Sequence, residues 1–318
     1  MPADVGQEKP VGMEGMKIVI TGANGAVGQA ILRCGAGQAS LDTLVAAVRS
    51  ERAAGEIRPL LSERNSVALI SFGDPASLDA ALQGASAVIH LAGILFERPD
   101  SSYVQANVES ARGVVEAAKR CSVAKVVLIS ATGADETSSN GYYRTKGQAE
   151  ALVRASGLHY TILRAPLLLG PETEGGAALV RNASGGKAKL IGGGHHYQQP
   201  LYVDDLARAA LAATQPSVAD DRTLDLVGPV SLPDRELVER AAKRLGRTVK
   251  ISSIPKGLLK FGLTLRGRSN GPGFSLAVLE VITADTRLDP QPAASALGIR
   301  LTGIDEMIQN SLGPEQKK

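Results

Sequence analysis

The chain has 318 residues, 35 Lys and Arg against 32 Asp and Glu for a formal balance of +3, 44% hydrophobic residues and two cysteines. Ordinary apolar content excludes collagen-like and disordered classes. Cys34 and Cys121 are too few for a disulfide framework or a zinc site, and six Tyr, four Phe and no Trp are too few for an aromatic platform under single-stranded nucleic acid.

Residues 1–15 have no apolar secretory core and read as a polar, disordered tail. Short, continuously apolar runs follow at Lys17–Ile20, Leu44–Val48, Val67–Ile70, Ala87–Leu91, Lys125–Ser130 and Tyr160–Leu163. Continuity rather than alternation predicts strands buried on both faces. Amphipathic stretches at Ala26–Cys34, Pro75–Leu82, Tyr103–Arg120 and Tyr142–Ser156 predict helices between them. Strand–helix alternation with right-handed crossovers makes an α/β fold with a doubly wound parallel sheet.

Past residue 165 the pattern changes. Gly170–Gly176 and Gly185–Gly194 read as loops, followed by a helix at Asp204–Ala213, a strand at Thr223–Val227, a helix at Asp234–Leu245 and a strand at Val249–Ile254. Glu236/Arg240 and Glu239/Lys243 form favourable i,i+4 pairs. The expected organisation is a tail (1–15), a core domain (16–165) and a smaller C-terminal substrate-binding lobe (166–318) interleaved with the core. No run approaches the ~18–20 apolar residues that span a bilayer, so the default location is the cytoplasm.

Thr21-Gly22-Ala23-Asn24-Gly25-Ala26-Val27-Gly28 joins the first strand to the first helix. Gly22 permits the turn, Gly25 lets backbone approach a diphosphate, and Gly28 lets helix and sheet pack closely. The diphosphate would sit on the helix N-terminus, whose free N–H groups favour anions. At the end of the second strand, where an acidic residue would bind the ribose 2′-hydroxyl of NAD, the chain has Arg49 and Ser50. Arg49 suits a 2′-phosphate, so NADP(H) is favoured over NAD(H), although Glu51 remains near enough for a ribose. Asp74 is placed for the adenine edge and equally for a helix N-cap.

Tyr142 and Lys146 stand four apart at the start of the fourth of these helices and share a face. A nearby ammonium lowers a phenol pKa, and such a tyrosine serves as acid or base on a hydroxyl or carbonyl. Thr132, at the edge of the fifth strand, is placed to orient the same oxygen; Ser130 is the substitute, more naturally a packing residue.

The stretches TGANGAVG, VIHLAGI, NVESARGVVEAAK, LISATG, YYRTK, ILRAPLLLGP and LYVDDLARA, between residues 17 and 210, resemble the short-chain dehydrogenase/reductases. Within them the chain is more similar to the extended and atypical branch of NAD-dependent epimerase/dehydratase and NAD(P)H-binding proteins. The resemblance implies a Rossmann-type core, Tyr142 as acid/base, Lys146 as pKa tuner and nicotinamide-ribose ligand, and Thr132 as the Ser/Thr of the site. It also implies Ala92 and Gly93 along the cofactor channel, Pro166 near the nicotinamide, and His90 as a structural residue. Thr132 and Tyr142 are only ten positions apart, and the Tyr-Gly turn usual after the serine strand is absent. Both departures turn the resemblance from sugar-nucleotide epimerases towards the subgroup related to an accessory subunit of respiratory complex I.

The expected function is therefore NAD(P)(H)-dependent hydride transfer to or from a carbonyl or hydroxyl carbon. The alternatives are an epimerase or dehydratase and a non-catalytic NADPH-binding accessory or sensor protein. No metal site is expected: adjacent His195 and His196 point apart on an extended segment, and Asp204 and Asp205 read as helix N-terminal charges. Residues 241–279 carry eight basic side chains and no acidic one. Within them 255–268 reads as a basic amphipathic helix with Leu258, Phe261 and Leu265 on one stripe. It is a solvated face over a packed one, a lid over an apolar substrate or a peripheral membrane contact. The expected partner is a small-molecule substrate, anionic or apolar, and not a nucleic acid.

Overall fold

The computed structural model describes residues 15–36, 43–265 and 273–313. The tail before Gly15 and the basic residues Arg266 and Arg268 lie outside the described residues.

The first half runs β1 (Lys17–Thr21), α1 (Ala26–Ala36), β2 (Thr43–Val48), α2 (Glu51–Ile57), β3 (Ser66–Leu69), α3 (Pro75–Leu82) and β4 (Ala87–His90). A π-helical segment, Val104–Glu109, leads directly into α4 (Ser110–Arg120), then β5 (Lys125–Ala131), α5 (Gly141–Arg154) and β6 (His159–Ala165). The second half comprises β7 (Leu168–Leu169), α6 (Glu174–Ser184), β8 (Lys187–Ile191), β9 (Tyr197–Gln198), β10 (Leu201–Tyr202), α7 (Val203–Ala213) and β11 (Arg222–Asp225). It continues with β12 (Leu232–Pro233), α8 (Asp234–Arg244), β13 (Lys250–Ile254), α9 (Lys256–Leu265), α10 (Leu276–Ile282), α11 (Gln291–Leu297) and α12 (Ile304–Leu312).

Seven strands form one parallel sheet in the order β11-β6-β5-β4-β1-β2-β3. Alternate residues of each central strand feed opposite layers, because side chains on a strand alternate faces. Ile18, Ile20, Ile89, Val127 and Leu163 pack towards α1 and α7, with Ile31 and Leu206. Val19, Val88, Val126, Leu128 and Ile162 pack towards α3, α4 and α5, with Leu78, Val115 and Val153. This is the doubly wound α/β architecture expected from the continuous apolar runs. The order reverses between β1 and β4, so the connections leaving their carboxyl ends depart to opposite faces of the sheet and open a crevice there, the usual place for a ligand in such a sheet.

The second half departs from its expected outline. Glu174–Ser184 is a helix capped by Thr173, whose Oγ1 accepts from Gly176 N at 3.0 Å. Lys187–Ile191, inside a stretch expected to be loop, is a strand paired with β13. Glycine density masked it, yet Ala188 and Leu190 are buried while Lys187 and Lys189 are exposed, the period-two signature. On α8, Arg240 pairs with Glu236 at 2.7 Å as expected, but Glu239 pairs with Arg235 at 3.2 Å rather than with Lys243. β11 lies beside β6 and so extends the main sheet. No helix among the described residues is long and apolar enough to cross a membrane.

Candidate active site

The turn after β1 is shaped by its glycines. Gly22 has φ +74°, and a Cβ there would lie 3.2 Å from Ala92 N, so the loop is pressed against the chain leaving β4. Gly25 N donates to Gly22 O (3.1 Å), and Gln29 Nε2 donates to Asn24 O (3.0 Å), closing the turn onto α1. At Gly28 a Cβ would meet Ala23 O at 2.4 Å; only glycine lets the first turn of α1 sit this close. Ala26 and Val27 open that helix with no acidic residue in its first turn, leaving an electropositive end for an anion.

Beneath the turn, Ser110 Oγ donates to Ala106 O at 2.6 Å and can only accept from His90 Nε2 at 3.3 Å. His90 Nδ1 therefore accepts from Thr21 Oγ1 at 2.7 Å. Burial, and secondarily the Lys146 charge, pushes the imidazole pKa down to about 3. His90 is a neutral brace between β1, β4 and α4, as the sequence suggested.

At the end of β2, Arg49 is exposed and Ser50 caps α2, accepting from Ala53 N at 3.2 Å. Glu51 is engaged by Arg58 at 3.0 Å. Asp74 caps α3, one carboxylate oxygen accepting from Ala76 N at 3.1 Å, which is the structural half of its two readings.

Across the crevice, Asn140 fixes the start of α5. Its Oδ1 accepts from Tyr142 N (3.0 Å) and Tyr143 N (3.4 Å), while its Nδ2 donates to Ala277 O (3.1 Å) and Glu280 Oε2 (2.9 Å) of α10. The half-buried Tyr142 ring packs between Tyr103 and Tyr143, with centroids 5.9 and 5.7 Å away. One turn on, buried Lys146 donates from Nζ to Ile129 O at 3.2 Å. A Cβ on Gly93 would lie 2.8 Å from that Nζ and 2.9 Å from Asn107 Oδ1. Asn107 also accepts from Ile94 N (3.3 Å) and donates to Thr145 Oγ1 (3.0 Å). Thr132 is half-buried past β5, its N–H donating to Ala165 O at 3.0 Å, and Pro166 is half-buried directly after β6.

Electrostatics correct one expectation. Burial lowers Lys146 to about 8, against the opposing pull of Glu150. Tyr142 is pushed up, by burial first and then by Tyr143 and Tyr103. Lys146, whose ammonium donates to Ile129 O, is not among the groups that set the phenol's pKa. Tyr142 thus stays a neutral phenol.

One polar group of this crevice escaped the sequence reading, and a second was given only a minor part in it. Asn107 is buried on the π-helical segment, whose wide turn carries it to Gly93 and Thr145. A polar residue three past Val104 on the apolar stripe was its available signal. Ser130, read mainly as packing, is 4% exposed, and its Oγ is the buried side-chain polar atom without a hydrogen-bond partner among the described residues. Such a hydroxyl is costly unless a ligand completes it. Away from the crevice, His195 is exposed and His196 stands 3.9 Å from Asp234. Buried Asp205 accepts from Thr302 N and Oγ1, both at 2.7 Å, and from Arg208, a structural role as expected.

A family model described as NAD(P)H-binding matches residues 22–192. Ceramide reductase from Caulobacter vibrioides is 35% identical over 99 residues, 31% of this chain and 31% of that protein. The mitochondrial NADH dehydrogenase [ubiquinone] 1 alpha subcomplex subunit 9 of Arabidopsis thaliana is 30% identical over 171 residues, 52% of this chain and 42% of that one. The chain thus spans less than half the length of either relative. The NADPH-dependent quinone oxidoreductase of Escherichia coli, solved with NADPH, shares the fold at a TM-score of 0.71 and 22% identity, over 92% of this chain and 98% of that one.

Proposed function

The chain belongs to the NAD(P)H-binding family and is of the extended short-chain dehydrogenase/reductase type, and from that premise we propose that it is an NADPH-dependent carbonyl reductase. One observation carries the reading: close contacts run without a break from the phosphate turn to the tyrosine helix. Gly22 abuts Ala92, and the neighbouring Gly93 abuts Lys146 and Asn107. A cofactor bridging these points would rest its diphosphate on Gly22, Asn24, Gly25, Ala26, Val27 and Gly28. Arg49 and Ser50 would meet the 2′-phosphate, the second oxygen of Asp74 the adenine edge, and Ala92, Gly93, Lys146 and Pro166 the nicotinamide half. The turn fits this group, since backbone rather than side chain lines it at Gly22, Gly25 and Gly28.

Bound there, NADPH supplies a hydride to a carbonyl carbon. Tyr142, neutral and half-buried, donates the proton that the carbonyl oxygen takes as it becomes a hydroxyl. Ser130 and Thr132 offer hydroxyls to orient that oxygen. Lys146 would hold the ribose end of the cofactor, its ammonium supplying positive charge to the crevice.

The test is an NADPH titration with a screen of carbonyl substrates, wild type beside Tyr142→Phe. The expected outcome is binding by both and turnover by the wild type alone. Tight binding with no turnover on any carbonyl would leave the accessory or sensor reading in its place. Substrate conversion without net NADPH consumption would make the protein an epimerase.

A further inference from the structure

Helix α9 inverts the usual burial of an amphipathic helix. Leu258 and Phe261, three apart and on one face, are 67% and 62% exposed. Half-buried Leu259 and Leu263 form the other apolar face. Lys256 and Lys260 are exposed on the remaining surface. Of the three readings open for this helix, the one with this stripe packed inward is not the one formed, because α9 rests on the molecule mainly through α10. Isolated exposed leucines need no explanation, but a leucine and a phenylalanine on one turn of a ten-residue helix form a continuous apolar edge.

The position of this edge ties it to the crevice. α10 holds Asn140, the cap of the tyrosine helix, through Ala277 and Glu280. The chain entering α10 carries Phe274, 43% exposed, next to Gly273, whose N–H donates to Glu97 O at 3.3 Å. Glu97 in turn accepts from the N–H of Tyr103 at 2.9 Å, beside Val104, 51% exposed. Exposed apolar residues therefore border Tyr103, whose ring touches Tyr142. On α9 itself the charged residues are Lys256 and Lys260, both exposed.

We propose that α9, with the Phe274 segment, docks on an anionic lipid bilayer, Leu258 and Phe261 inserted and the lysines meeting lipid phosphates, so that the crevice at Tyr142 faces the membrane. Exposed apolar groups on a helix whose two charged residues are both lysines match that surface. The docking surface stands independently of the reductase reading; the orientation of the crevice rests on it.

Vesicle flotation with the full-length protein tests this, using phosphatidylglycerol/phosphatidylcholine vesicles against pure phosphatidylcholine at low and high salt. The expected result is flotation with anionic vesicles only, weakened as salt shortens the Debye length. Lys256→Gln and Lys260→Gln should each reduce partitioning about fivefold, and Leu258→Ser/Phe261→Ser at least tenfold on the order set by the lost apolar area. NADPH affinity should stay unchanged in all of them, which shows that the variants fold. No flotation, or equal flotation with neutral vesicles, overturns the proposal. A concentration-dependent dimer abolished by Leu258→Ser/Phe261→Ser, without vesicle binding, overturns it in favour of a second copy of the chain. Flotation without NADPH binding leaves the docking surface standing and removes the reductase.

Discussion

Gly93 and Lys146 are in contact so close that a Cβ on the glycine would lie 2.8 Å from the lysine Nζ. The same Cβ would stand 2.9 Å from Asn107 Oδ1. Lys146 can bend away at its flexible end, but Asn107 is held by Ile94 and Thr145. Gly93→Ala should therefore lower the melting temperature, because Asn107 cannot yield cheaply, and lose ~10²-fold in kcat/KM by displacing the ammonium about an ångström. Steady-state kinetics beside a thermal melt separates the two effects.

Lys146 titrates at about 8 in the folded protein. In kcat/KM, which reports the free enzyme, reduction should decline above that pH, and Lys146→Arg should move the decline upward. The sign for stability is separate. The folded pKa lies below the ordinary 10.5, so between about 8 and 10.5 the unfolded chain binds more protons and stability rises with pH. The burial cost is fully present below 8. Lys146→Met should abolish this rise in urea unfolding free energy.

Ser130→Ala should behave as a functional rather than a structural substitution. Removing a buried hydroxyl that lacks a partner should leave stability unchanged or higher by about 1 kcal/mol, while kcat falls ~10²-fold as an oxygen-orienting donor is lost. Thr132→Val, at a half-buried position, is the comparison. Wild-type turnover in Ser130→Ala would return the orienting role to Thr132.

Arg49 is exposed at the end of β2, and the nearby Glu51 is engaged by Arg58. Arg49→Ala should weaken NADPH by ~10–100-fold, the worth of a charge-assisted hydrogen bond of about 1.5–3 kcal/mol, and leave NADH unaffected. Fluorescence titration of both cofactors decides it. Equal wild-type affinities would refute the 2′-phosphate assignment.

Glu150, fully buried on α5, accepts from Arg164 Nε at 2.8 Å and Nη2 at 2.6 Å and from Arg154 at 3.1 Å. Glu150→Ala leaves the guanidinium of Arg164 without its partner and should cost about 3–5 kcal/mol in denaturant unfolding. This is a stability effect on the tyrosine helix and should appear before any change in cofactor affinity.

Local patterns carried much of this reading. Buried parallel strands announce themselves as continuous apolar runs, so β1, β2, β4, β5 and β6 were found within a few residues. Tyr142 and Lys146 share a helix face by spacing alone. β8 was missed because its two buried residues sit among glycines, and α2 because seven residues of mixed polarity carry little periodicity. The depressed phenol pKa failed for a different reason: sequence distance says that Lys146 is near Tyr142 but not that its ammonium points at Ile129 O.

The doubly wound sheet, the glycine turn after β1 and the Tyr142–Lys146 pair are legible in the chain alone, since each depends on backbone periodicity or on spacing within one element. Which polar groups meet at the crevice follows from packing between distant segments. Asn107 reaches Gly93 through a π-helical turn, and Ser130 is left without a partner among the described residues by what surrounds it. Such packing also decided that Leu258 and Phe261 face outward. A helix's apolar stripes can be read from spacing, but which of them is covered depends on neighbours distant in the chain.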